Sequence, residues 1–186
     1  EIPQMSVGLL LDESGSMCSC DRCTYARSSA IILYDFCKAL HIPVTVYGHS
    51  TSGNSVELYS YAEFESIDND DKYRMMDIAA RGSNRDGAAL RFVAEQLVKR
   101  PEEVKILILV SDGQPAAPGY YGSAAEEDLR GIRQEYRRKG VLFIAAAIGE
   151  DKQNIERIYG DSFMDITDLN QLPVKLTAAV KRHMRV

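Results

Sequence analysis

Asp12, Ser14 and Ser16 stand at alternate positions behind an apolar run that contains Val7, Leu9, Leu10 and Leu11. Gly15, between the two serines, lets the backbone turn tightly without a Cβ penalty. Three oxygen-bearing side chains are thereby delivered at the end of what reads as a buried strand. A hard divalent cation such as Mg2+ takes such a set: oxygen ligands, few of them carboxylates, with room left for water. Taken alone, the string also fits a strand that ends in a serine-glycine turn. Two further strings bear on the choice. Asp112, in Ser111-Asp112-Gly113, closes the apolar run VKILILV, and Asp86 lies in the loop RGSNRDG that leads into GAAL.

The surrounding pattern says how these residues are positioned. Met5 to Leu11 is nearly continuous apolar, as in a strand buried on both faces of a parallel sheet. Ala26, Ala30, Leu33, Phe36, Cys37 and Leu40 then recur at helical spacing until Pro43. Val44 to Gly48 reads as a second strand, Ser50 to Ser55 as a polar loop, and VELYSYAEF alternates like a half-exposed edge strand. Asp68 to Ala80 reads as a modest helix. Gly87 to Lys99 is a helix with Leu90, Val93, Ala94 and Leu97 on one face. Val104 to Val110 is the strongest strand, and a loop rich in Pro, Gly and Tyr runs from Gln114 to about Ser123. Ala124 to Lys139 is a polar helix, and Val141 to Ile148 a buried strand closed by Gly149. Lys152 to Tyr159 is a short helix, Phe163 to Ile166 a last short strand, and Leu169 to Met184 a final helix.

Apolar strands alternating with amphipathic helices give an α/β fold: a mostly parallel sheet covered on both faces. Ligands of such open sheets sit at the carboxyl ends of the strands. Asp12, Ser14 and Ser16 follow the first strand, Asp112 follows VKILILV, and Asp86 lies in the loop that leads into the Gly87 helix, within reach of the same edge. Three loops with oxygen ligands are expected to converge there.

Composition bounds the function. The 186 residues, 45% hydrophobic and 26% charged, suffice for one large domain with a full core. A net charge of −5 and the lack of a basic cluster argue against a nucleic-acid partner. No apolar run approaches the roughly 20 residues of a membrane span. The chain begins at Glu1 without a signal peptide and reads as a domain excised from a longer protein. Cys18, Cys20 and Cys23 crowd into one loop without a second CxxC or a nearby His, so they read as reduced thiols, with Cys37 as a small core residue.

Other residues carry competing chemistry. Gly48-His49-Ser50-Thr51-Ser52-Gly53 nearly spells a G-x-S-x-G elbow, which would make Ser50 a hydrolase nucleophile, but no helix follows at once. Asp12 would suit a phosphotransferase, yet the second acid expected two residues on is Ser14. His49 reads as a loop residue at the rim of the metal site. Tyr120 and Tyr121, among Gly and Pro beside Asp112, suit the rim of a protein interface. Asp161, Asp165 and Asp168 read as a solvated turn and a helix cap.

These strings resemble a von Willebrand factor A (vWA) domain with its metal-ion-dependent adhesion site: D-x-S-x-S after the first strand and an Asp within S-D-G after the fourth. The second loop departs, with Asp86 where the family usually has Thr. NRDGAAL and RPEEVKILILVSDGQPA are similar to the C-terminal domain of CobT-type cobaltochelatase subunits and to NorD-type nitric oxide reductase activation proteins; CobT-type sequences also carry Asn-x-Asp-Gly in this loop. The resemblance implies a Rossmann-like vWA fold over residues 1–186, mostly parallel with one antiparallel edge strand and helices on both faces. It implies that Ser14 and Ser16 bind Mg2+ (or Mn2+ or Ca2+) directly, that Asp12, Asp86 and Asp112 bind it directly or through water, and that a partner Asp or Glu completes the octahedron. The expected role is non-catalytic and cytoplasmic, an adaptor for a MoxR- or chelatase-type AAA+ ATPase or its client metalloenzyme in metal insertion or enzyme activation. A hydrolase using Ser50 or Asp12 and an extracellular adhesion module are the alternatives; unpaired thiols count against the latter.

Overall fold

Strand β1 (Met5–Asp12) is buried from its second residue to its last, so it has no solvent face. The computed structural model describes residues 3–19, 21–65, 68–113, 115–147 and 151–183. The expectations placed on Cys20, Gln114, Ile148, Gly149 and Met184 lie outside them. Strands β2 (Val44–Ser52) and β4 (Val104–Val110) flank β1 in parallel. Outside them lie β3 (Ser55–Ala62), antiparallel to β2, and β7 (Val141–Ala147) with β8 (Phe163–Asp165), both parallel. The order is β3-β2-β1-β4-β7-β8: a mostly parallel sheet with one antiparallel edge.

The period of two along each strand divides the core into two layers. Val7, Leu9 and Leu11 join Ile106, Ile108 and Val110 against Ala26, Ala30 and Leu33 of α1 (Arg22–Ala39) and Leu172, Leu176 and Val180 of α6 (Leu172–His183). Leu10, Leu107 and Leu109 face the other way. They meet Leu90, Val93 and Leu97 of α3 (Asp86–Val98), Leu129 and Ile132 of α4 (Gly122–Arg138), and Ile155 and Ile158 of α5 (Lys152–Tyr159). Helices therefore cover both faces, as a parallel sheet requires. Among the described residues no helix is long and apolar enough to cross a membrane.

Three stretches differ from the sequence pattern. The helix expected over 68–80 shrinks to α2 (Asp71–Arg74) and a 3-10 turn, Met75–Asp77. Beyond it the Ala79 N–H donates to Glu13 Oε1 and the Arg81 N–H to the Glu13 carbonyl, which draws the chain out of the helix and onto β1. The polar loop after Gly48 is mostly strand, because β2 runs to Ser52 and turns into β3 through Gly53-Asn54, with Gly53 at φ +59°. The Pro/Gly/Tyr loop contains a small hairpin, β5 (Ala116–Ala117) with β6 (Tyr120–Tyr121).

Glu13 shows how closely these pieces fit. Its carboxylate is fully buried and accepts hydrogen bonds from Tyr61 Oη at 2.8 Å, the Ala79 N–H at 2.9 Å and Arg81 Nε at 3.3 Å. The space it fills exists only because residue 48 on β2 has no side chain: a Cβ there would lie 1.6 Å from Glu13 Oε2. Gly48→Ala is accordingly expected to destabilise the fold by about 2–3 kcal/mol, toward the upper end of overpacking changes. Urea unfolding at equilibrium measures this; an unchanged midpoint would show that Glu13 has room to move.

Candidate metal centre

The chain leaves β1 for β2 on one side and returns to β4 on the other, so the mouth between β1 and β4 is the topological switch point of the sheet. Asp12 is the last residue of β1, and Ser111 and Asp112 follow β4 directly. Asp86 is the first residue of α3, where the helix dipole favours a carboxylate. Asp12, Ser14, Asp86 and Asp112 are all buried, whereas Ser16 is exposed.

Asp12 is held on both oxygens. Its Oδ1 accepts the Ser14 N–H at 2.8 Å, an Asx turn that starts the 3-10 turn Gly15–Cys18. Its Oδ2 accepts from Ser111 Oγ at 3.0 Å and from Asn84 Nδ2 at 3.2 Å. Asn84 Nδ2 also reaches Asp86 Oδ2 at 3.5 Å, so one amide bridges two carboxylates. Ser14 Oγ and Ser16 Oγ lie 3.0 Å apart, and Ser111 Oγ accepts the Gly113 N–H at 3.1 Å. Two supports, Asn84 and Ser111, were missing from the sequence-based set, although each stands within two residues of a predicted ligand.

His49 is not a rim residue. It pairs in register with Asp12 on the neighbouring strand, is fully buried, and places Nε2 3.0 Å from Asp86 Oδ1. Ligand atoms of Asp12, His49 and Asp86 all fall within 4.8 Å of one another. An imidazole nitrogen and two carboxylates at that spacing, walled off from water, make a donor set that a divalent cation fits. Of the other expected rim residues, Tyr120 is half-buried and donates its hydroxyl to Asp128 at 2.8 Å, and only Tyr121 stands out into solvent.

Electrostatics reflect the crowding. Burial, then repulsion from Asp86, pushes the Asp12 carboxyl above its ordinary 3.8 against the pull of His49 and Ser14. Burial alone would lower the His49 imidazole, but Asp86, Asp12 and Glu13 outweigh it and hold the group above 6.5. Burial also raises Glu13 above 4.5.

The remaining expectations divide. Ser50 Oγ accepts the Gly82 N–H at 2.8 Å and lies 3.4 Å from the Ser83 carbonyl, which makes it a brace between β2 and the loop before α3. Cys37 is buried, its thiol pushed up to about 12, while Cys23 donates weakly to the Ile78 carbonyl and Cys18 is exposed. Asp168 caps the Leu169–Gln171 turn through the Asn170 N–H, and Asp165 binds Thr167 and Lys152. A groove of about 640 Å3 beside β8, lined by Arg133, Phe163, Met164 and Lys175 among others, contains none of the metal-centre residues.

Comparison with known proteins bears on this arrangement. The family model described as the cobalamin biosynthesis protein CobT VWA domain matches residues 71–184. The uncharacterized protein YojO of Bacillus subtilis is 26% identical over 188 residues, covering 94% of this chain and 29% of YojO. Protein NorD of Brucella suis is 34% identical over 97 residues, covering 50% of this chain and 15% of NorD. The chain thus spans less than a third of the length of either relative. Among solved structures, a von Willebrand factor type A protein from Catenulispora acidiphila superposes with a TM-score of 0.63 at 17% identity, over 91% of this chain and 40% of its own. Manganese-loaded TRAP protein of Plasmodium vivax gives 0.63 at 15% identity, over 91% and 72%. At these identities the likeness is one of fold, and the fold is that of a vWA domain.

Asp12, Glu13 and His49 are all shifted upward on folding, so each holds its proton more firmly in the folded chain than in the unfolded one. For the two carboxyls, stability falls as pH rises from the unfolded values near 4 toward the folded ones. For His49, stability is full below 6.5 and is lost as pH rises through its folded value. All three contributions have the same sign. Chelator-treated protein is therefore expected to lose stability from pH 5 to pH 8, a trend that urea midpoints across that range would reverse if the assignment were wrong.

Proposed function

Because the chain belongs to the family of the cobalamin biosynthesis protein CobT VWA domain, we propose that it is a non-catalytic, divalent-metal-dependent protein-binding domain spanning residues 1–186. The observation that carries the reading is the meeting of Asp12, Asp86 and His49 at the switch point, with the exposed Ser16 hydroxyl beside the buried Ser14. Ser14, Ser16, Asp12, Asp86 and Asp112 hold the ion, Mg2+ in the first instance. The ion supplies an open coordination position, and an Asp or Glu of the partner fills it. The manganese loading of the TRAP neighbour supports a divalent cation in this fold.

The two serine donors are neutral and take nothing from the ion's charge, which favours a carboxylate as the partner group; Asp86, a third carboxylate beside Asp12 and Asp112, works against it by holding the ion more firmly. Similarity to CobT and NorD proteins favours a cytoplasmic adaptor role. The partner is a MoxR- or chelatase-type AAA+ ATPase, or the metalloenzyme that such a machine loads or activates. Ser50 serves as a brace under this reading, not as a nucleophile.

Saturating Mg2+ or Mn2+ is expected to raise the melting temperature. An ion present at about 100 times its Kd adds roughly 2.7 kcal/mol, which for a domain of this size is about 5–10 °C. Ser14→Ala and Asp112→Ala should shrink that rise. If neither ion moves the transition, the metal-centre reading fails. Turnover of a generic ester or phosphate ester that disappears in Ser50→Ala or Asp12→Asn would overturn the non-catalytic assignment.

A further inference from the structure

His49 comes from the middle of the sheet, not from any of the three loops whose oxygens recommend the site. It is fully buried, and neither of its ring nitrogens has a hydrogen-bond partner; nor does Asp86 Oδ1. Yet His49 Nε2 and Asp86 Oδ1 are only 3.0 Å apart. A protonated imidazole would make this contact an ion pair, but the two atoms are not aligned as a hydrogen bond, and a buried pair without one is uncommon in a folded interior. The separation does match another arrangement. First-row ions bind imidazole nitrogen and carboxylate oxygen at about 2.1 Å, and two ligands at right angles around such an ion lie about 3.0 Å apart (√2 times the bond). One ligand atom each of Asp12, His49 and Asp86 lies within 4.8 Å of the other two, an upper bound somewhat wider than the span of about 4.2 Å between opposite ligands of such an ion.

We infer that His49 is a direct metal ligand, that with Asp12 and Asp86 it forms the buried half of the ion's shell, and that it turns the preference of the site from Mg2+ and Ca2+ toward Mn2+ and its first-row neighbours. The inference rests on the metal-centre reading above and adds the class of ion. Mg2+ and Ca2+ are hard cations that take oxygen. A neutral imidazole adds little for them, whereas first-row divalent ions accept nitrogen and oxygen together. Ser14 and Ser16 supply the outer, oxygen-only half, with Asp112 acting through water, and the sixth position is left for a partner carboxylate. On this arrangement Asp86 sits directly on the ion, because its Oδ1 and the imidazole share one edge of the shell.

The test is a competition between Mn2+ and Mg2+ on the chelator-treated chain, followed by the electron paramagnetic resonance signal of free Mn2+. The native chain should hold Mn2+ on the order of 100-fold more tightly than Mg2+. His49→Gln should lose about 10–100-fold in Mn2+ affinity, with Mg2+ affinity changed much less. Spin-echo modulation of the bound Mn2+ should show nitrogen coupling that changes on ring-15N histidine labelling, a signal that does not depend on any variant folding. Circular dichroism checks the fold of His49→Gln, and if that variant is unfolded the nitrogen coupling in the native chain decides. Binding of both ions with similar affinity and no nitrogen coupling would overturn the role of His49 while leaving the metal centre intact. Failure of the native chain to bind either ion would overturn both.

Discussion

Asp12 and Asp86 bury two carboxylates side by side at the mouth of the β1–β4 crevice, and much of the nearby structure answers the free energy of doing so. Taking an ion out of water is penalised by several kcal/mol even after relaxation. Asp12 receives three donors, from the Ser14 backbone, Ser111 and Asn84. Asp86 receives the first turn of α3, with its unpaired N–H groups, and the amide of Asn84. His49 stands against its other oxygen. These groups reduce the mutual repulsion without cancelling it, since the Asp12 carboxyl stays displaced upward. A centre poised in this way gains from a cation more than a solvated acidic cluster would.

The loop before α3 must hold Asn84 and Asp86 in place, and Glu13 is its anchor. The Glu13 N–H donates to the His49 carbonyl, its own carbonyl accepts the Arg81 N–H, and its side chain accepts the Ala79 N–H. The Gly15 N–H reaches the Gly82 carbonyl, and Thr51 and Ser83 exchange backbone hydrogen bonds. Residues 79–83 are thus strapped to the ends of β1 and β2 before the chain turns into α3. The middle residue of Asp12-Glu13-Ser14 points inward as a strut while its two neighbours face the centre, which is the alternation expected at a strand end. Gly48 leaves the space that this strut occupies.

Much of this was legible in the sequence, because it depends on local pattern. Leu9 to Leu11 and Ile106 to Val110 are apolar without interruption, which two-sided burial requires, and the polar residues that end them fall at the carboxyl edge. Register was not legible. That His49 faces Asp86 depends on which residue of β2 lies beside Asp12, and a polar residue after a short apolar run reads equally well as loop. The helix expected at 68–80 failed for a similar reason: its pattern is adequate, but hydrogen bonds to Glu13, distant in sequence, take its last residues elsewhere. Tyr120 looked exposed because Gly and Pro surround it, yet its hydroxyl has a partner on α4 in Asp128.

The outer lip of the centre follows from the same connections. Arg85, beside Asp86, donates to the Pro118 carbonyl and so ties the start of α3 to the β5–β6 hairpin. Gly87, one residue past Asp86, lies against Tyr120 and Asp128, with a Cβ there only 2.6 Å from the Tyr120 hydroxyl. The hairpin is therefore fixed to the backbone that carries Asp86, and Tyr121 projects from it into solvent. On the proposed reading, the exposed Ser16 marks the side of the centre that a partner carboxylate can reach. On that reading the buried nitrogen and oxygen donors select the ion, and the exposed hydroxyl lies where the ion stays open to a partner.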